Sequence, residues 1–115
     1  MIRLGDETAG FSVHRTSAGV GVEAWGFWSV ELALQFAPVV TGALDGIHGE
    51  VQVLVDVARL RPLRNEGQRA FESLLSWAAQ GRGWPVLIRS PSALTKLQML
   101  RLVRRLGPAA HIVVQ

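Results

Sequence analysis

The chain has 115 residues, 49% of them hydrophobic and 18% charged, with a net charge of +3 and no cysteine. That length corresponds to one domain, and so apolar a composition excludes a disordered tail. Without cysteine there is no disulfide framework, no zinc–thiolate site and no thiol nucleophile.

No apolar run approaches the ~20 residues that span a bilayer. Met1–Gly10 carries Asp6 and Glu7 and lacks an apolar stretch, so residues 1–9 read as a flexible lead, not a secretory signal. A single cytoplasmic domain over 1–115 is expected. Charge is unevenly spread: residues 1–56 sum to −5 and residues 57–115 to +8. An Arg-rich second half can mark an acidic partner or simply a solvated surface.

Phe11–Thr16 reads as a short strand, Ser17-Ala18-Gly19 as a turn, and Gly19–Trp25 as a second, antiparallel strand. After Gly26 the period changes to that of a helix. Ser29 is the expected N-cap, Glu31 suits the helix dipole in the first turn, and the helix runs to about Leu44. Pro38 inside it predicts a kink or break. Val51–Val57 is the strongest strand, with Val51, Val53, Val55 and Val57 on one face and Gln52, Leu54 and Asp56 on the other.

Arg59–Arg64 reads as a loop. Asn65 is the expected N-cap of a helix over Glu66–Gln80, with Gln68 at capping-box spacing. That helix buries Phe71, Leu74, Leu75 and Ala78. Pro85–Arg89 is a further strand, and Ser90-Pro91-Ser92 opens a third helix with proline at its first position. Leu94, Leu97, Leu100, Val103 and Leu106 carry that helix to Gly107-Pro108, and Lys96, Arg101, Arg104 and Arg105 form its outer face. Ala110–Val114 is a last strand at a sheet edge, with His111 its polar group.

The order β-β-α-β-α-β-α-β is an α/β fold with a mostly parallel five-stranded sheet. Valines on one face of the middle strand place the helices mainly on that face and leave the other partly open. Trp25 should point to the open face, where Trp25, Leu54, His111 and Val113 offer an oligomer surface. Trp28 and Trp84 read as core.

Catalytic signals are few. His14, His48 and His111 have no ligand spacing, so no metal is expected. There is no Gly-x-Ser-x-Gly elbow, no phosphate-binding loop and no dinucleotide fingerprint. No cofactor is expected, and the chain reads as not an enzyme. A basic face on the third helix without stacking aromatics does not read as a nucleic-acid surface, and no membrane contact is expected. Asp56 lies near the end of the middle strand, where open α/β sheets place their sites. Arg59, Arg61, Arg64, Asn65, Arg89, Ser90 and Ser92 should gather there beside two helix N-termini, a setting that suits an anion or a partner's carboxylates.

From Phe11 to Gln115 the order resembles the sulfate transporter and anti-sigma factor antagonist (STAS) domain, the SpoIIAA-like fold. The local pieces are Val53-Leu54-Val55-Asp56-Val57 followed by a loop to Asn65-Glu66-Gly67, and Val86-Leu87-Ile88 followed by Ser90-Pro91-Ser92. The resemblance implies a bacterial, non-enzymatic signalling module that binds a protein, such as an anti-sigma or kinase-like regulator, around Arg59–Gln68. A homodimer through the open face or last strand is also expected. The family's phosphorylated serine or threonine falls at Asn65, which has no hydroxyl, so switching by phosphorylation there is not expected. The family's closing helix is also missing. The alternative is a module that binds a nucleotide, lipid-like or other anionic ligand at the Arg-rich end.

Overall fold

The computed structural model describes residues 2–108 and 111–115. Six strands lie in the order β1-β2-β3-β4-β5-β6: Ile2–Gly5, Gly10–Thr16, Gly19–Gly26, Gln52–Leu60, Val86–Arg89 and Ile112–Val114. β1–β2 and β2–β3 pair antiparallel, and β3 through β6 run parallel. The parallel strands are joined through α1 (Val30–Leu44), α2 (Asn65–Leu75) and α3 (Ala93–Leu106).

Alternation within the strands decides the layering. Val20, Val53 and Val86 are register partners, as are Val22, Val55 and Ile88, and all six are buried in one core with the helices. Residues in between (Gln52, Leu54, Leu87, Arg89) point away from that core and stay wholly or partly exposed. Hence the helices stack on one face, and the opposite face stays open. Phe11, Trp28, Phe36 and Phe71 fill the centre, with the Phe36 and Phe71 rings stacked 4.5 Å apart.

Several expectations need correction. The lead read as flexible contains a sixth strand, β1, whose residues pair with β2 from Ile2↔Val13 to Gly5↔Gly10. α1 runs unbroken through Pro38. The carbonyl that proline deprives of a partner is that of Leu34, an exposed residue, so water can satisfy it. β4 extends to Leu60, which shortens the expected loop to residues 61–64.

Asn65 does not cap α2. Arg64 takes that position without a side-chain bond. Gln68 turns its amide to the Leu63 carbonyl instead, at 3.0 Å. Past Leu75 the helix widens into a π-helical turn over Ser76–Gly81. Pro91 precedes the N-cap Ser92 of α3 and does not occupy the first helical position. Ala110, read as the start of the last strand, lies outside the described residues.

The phase of α3 is the largest departure. Its buried residues are Thr95, Met99 and Leu102, while Leu94, Leu97 and Leu100 are exposed. Polar anchors set this rotation. Thr95 donates its hydroxyl to the Leu60 carbonyl at 3.1 Å, and the Gln98 amide bonds both the N–H and the carbonyl of Leu63, at 2.7 and 2.9 Å.

Candidate functional site

All three helices begin where parallel strands end, so α1, α2 and α3 start along one edge of the sheet. The loop 61–64 on that edge is held firmly. Arg61 donates its N–H to the Gly26 carbonyl at 3.0 Å, Gln98 clamps Leu63 from α3, and Gln68 bonds Leu63 from α2. Gly67 lies under Leu63, where a Cβ would crowd the leucine side chain. The loop is therefore fixed by its own contacts with β3, α2 and α3.

The residues proposed from sequence divide into three groups. Arg61, Arg64, Asn65 and Ser92 are exposed, and Glu66 is half-buried. Asp56, Arg59 and Arg89 carry charges that are already matched. Arg89 meets Asp56 at 3.4 Å, Asp56 also accepts the Ala58 N–H at 2.9 Å, and Arg59 meets Glu23 at 3.5 Å. Gly67 and Ser90 are buried and do not reach the surface. Ser90 is fully buried, and its hydroxyl oxygen has no hydrogen-bond partner among the described residues.

Trp25 must leave the surface list as well, because it is only 2% exposed. Its indole N–H donates to the Asp6 carbonyl at 2.8 Å, and Arg3 and Arg59 cover its ring at 4.6 and 5.9 Å from the centroid. Asp6 is fixed in turn by its carboxylate, which accepts the N–H groups of Thr8 and Ala9. Those bonds hold the Asp6 carboxyl below its ordinary pKa. Leu54, His111 and Val113 do remain exposed on the open face.

Phe27 was missed from sequence. It lies between β3 and the N-cap Ser29, is 50% exposed, and has the Arg64 guanidinium 4.9 Å from its ring centroid. Val30 is exposed beside it, at the first position of α1. The aromatic-rich run Phe27-Trp28 before a helix start was the available signal, but only the fold separates the two rings: Trp28 turns inward and donates its indole N–H to the Gly10 carbonyl at 3.1 Å. Between the starts of α1 and α2 runs a cleft of about 10 Å³, lined by residues including Val30, Leu63, Arg64 and Glu66. That space is too small for an organic ligand, since ligand pockets are typically ~300–1,000 Å³.

Among the described residues no cluster of His, Asp or Glu could hold a metal, and no helix is long and apolar enough to cross a membrane. The geometry supplies a firm surface with an exposed ring, a stacked guanidinium and a helix start.

No protein-family model and no curated protein matches the chain. Among solved structures it is similar to an uncharacterized protein of the DUF3478 family from Shewanella loihica PV-4, described as having a SpoIIAA-like fold. The two share 18% identity over 97% of this chain and 90% of that one, with a TM-score of 0.64. The strand order, the one-sided helices and this likeness agree: the chain has a SpoIIAA-like fold.

Proposed function

We propose that the protein is a non-enzymatic STAS-like interaction module whose partner docks on Phe27, Val30, Arg64, Asn65 and Glu66. The observation that carries this reading is Arg64 stacked on a half-exposed Phe27 beside a clamped loop. Aromatic and arginine side chains dominate binding hot spots, and a surface ordered in advance loses less entropy on association. The partner is of the anti-sigma or kinase-like regulator class, by analogy of fold. Asn65 makes the surface constitutive, because it offers no hydroxyl to a kinase. The module works in the bacterial cytoplasm and self-associates through the open sheet face around Leu54, His111 and Val113.

The anion-binding alternative has less support. Asp56 balances Arg89, Glu23 balances Arg59, and the cleft beside Arg64 is minute. A pull-down from lysate of the source cells tests the docking reading. A partner retained by the native protein and by Arg15→Glu, but lost with Phe27→Ser and Arg64→Glu, is expected. A partner set unchanged by both site substitutions contradicts it.

A further inference from the structure

α3 turns leucines to solvent that its sequence pattern would place in the core. Leu94 is 64% and Leu97 53% exposed, with Leu100 on the flank. The anchors from Thr95 to Leu60 and from Gln98 to Leu63 fix this rotation, so turning the leucines inward would break three hydrogen bonds. That rotation would also turn Met99 and Leu102, both fully buried, toward solvent, which cancels what the leucines would gain.

The same outer face carries Arg101 and Arg104, four and seven residues beyond Leu97, so all three share one stripe. Lys96 and Arg105 flank it, and the helix contains no acidic residue. Of these four cations, only Arg105 forms an ion pair among the described residues, with Glu72 at 3.4 Å.

Charge selects the occupant. A second copy laid α3 against α3 would set cations against cations when parallel, and when antiparallel would offer Arg101 and Arg104 no carboxylate, since α3 contains none. A membrane-surface helix keeps its cations on the face opposite its apolar stripe, whereas here Arg101 and Arg104 continue the stripe of Leu97 itself. A helix with leucine-like residues flanked by Asp and Glu satisfies both the apolar and the cationic groups. We propose that α3 docks an acidic amphipathic helix of a partner protein, with Leu94 and Leu97 in its apolar stripe and Arg101 and Arg104 against its carboxylates. This surface uses no residue of the Phe27–Arg64 surface and stands without it.

The test is fluorescence anisotropy of the whole chain with a synthetic helical peptide of about 18 residues. Its leucines follow helical spacing and are flanked by glutamate; a sister peptide carries lysine instead. The glutamate peptide should bind saturably and the lysine peptide at least about tenfold more weakly, a preference that shrinks with salt. Leu97→Gln should weaken the glutamate peptide about tenfold. Arg101→Glu with Arg104→Glu should invert the preference, and Phe27→Ser should leave it unchanged. All these side chains are exposed, and circular dichroism confirms that each variant folds. Equal binding of the two peptides, or no inversion, overturns the proposal. So does binding to phosphatidylglycerol vesicles, or dimerisation by light scattering, if Leu97→Gln abolishes it while the glutamate peptide fails to bind.

Discussion

Asp56 and Arg89 are register partners on β4 and β5, and their charged groups meet at 3.4 Å. This pair sits at the sheet end where an anion would be sought, and it neutralises Arg89 there, leaving Arg61 and Arg64 as the exposed cations. Wild-type protein titrated with phosphate or nucleotides should show no saturable rise in Tm, because only a ligand that binds the native state raises it. Asp56→Asn keeps an acceptor for the Ala58 N–H and removes only the ion pair. It should cost about 1 kcal/mol or less in urea unfolding. A saturable nucleotide shift in the wild type, erased by Arg61→Glu with Arg64→Glu, would support the anion reading instead.

The turn after β1 holds Trp25 in place, and its strength depends on pH. Asp6 has a lowered pKa because it accepts N–H bonds from Thr8 and Ala9. Its support is therefore complete above the unfolded-state value and is lost as pH falls through the lower folded-state value. The indole N–H resonance of Trp25 should stay constant from pH 7 down to about 4 and move only below that. Asp6→Ala should shift it across the whole range. Glu23, which meets Arg59 on the same face, is present in both proteins, so the comparison isolates Asp6. A resonance indifferent to Asp6→Ala contradicts this account.

Gly26 ends β3 at φ +78°, and a Cβ there would collide with the Thr8 carbonyl oxygen. Both strain and collision fall on backbone, which has no rotamer to adjust. Gly26→Ala should lower stability by about 2–4 kcal/mol. Gly46→Ala, where an added Cβ meets nothing, should stay within about 0.5 kcal/mol. Equal urea midpoints for the two variants would refute the packing described.

Phe36 and Leu34 are two residues apart on α1, yet one is fully buried and the other 66% exposed. Phe36 touches Phe11, Trp28 and Phe71. Phe36→Ala should cost about 3–5 kcal/mol, and Leu34→Ala should be nearly neutral. A large loss at Leu34 would mean that this face of α1 is covered in solution.

The sheet was legible where a periodic signal had one physical cause. Valines at alternate positions of β4 mean burial on one face, and that face is where the helices lie. Ser29 caps α1 as expected, its hydroxyl oxygen accepting the Leu32 N–H at 3.2 Å. Failures came where a distant group decided. Leu94, Leu97 and Leu100 look like a core stripe, but Leu60 and Leu63 of the preceding unit set the rotation of α3 through Thr95 and Gln98. Trp25 faces away from the helices as expected, but β1 and its turn were read as a flexible lead, so the groups that bury it were invisible. Of the candidate site, Arg64 and Asn65 were found from their place at a helix start. Phe27 was not, because its exposure follows from the inward turn of Trp28.

Whether a partner touches Phe27 in the cell decides the docking surface most directly. A photo-crosslinking amino acid placed at Phe27 in living source cells should yield one discrete crosslinked species, lost when Arg64→Glu is added. The same probe at Gly46 should yield none. No crosslink at Phe27, or the same species from both positions, would contradict the docking surface.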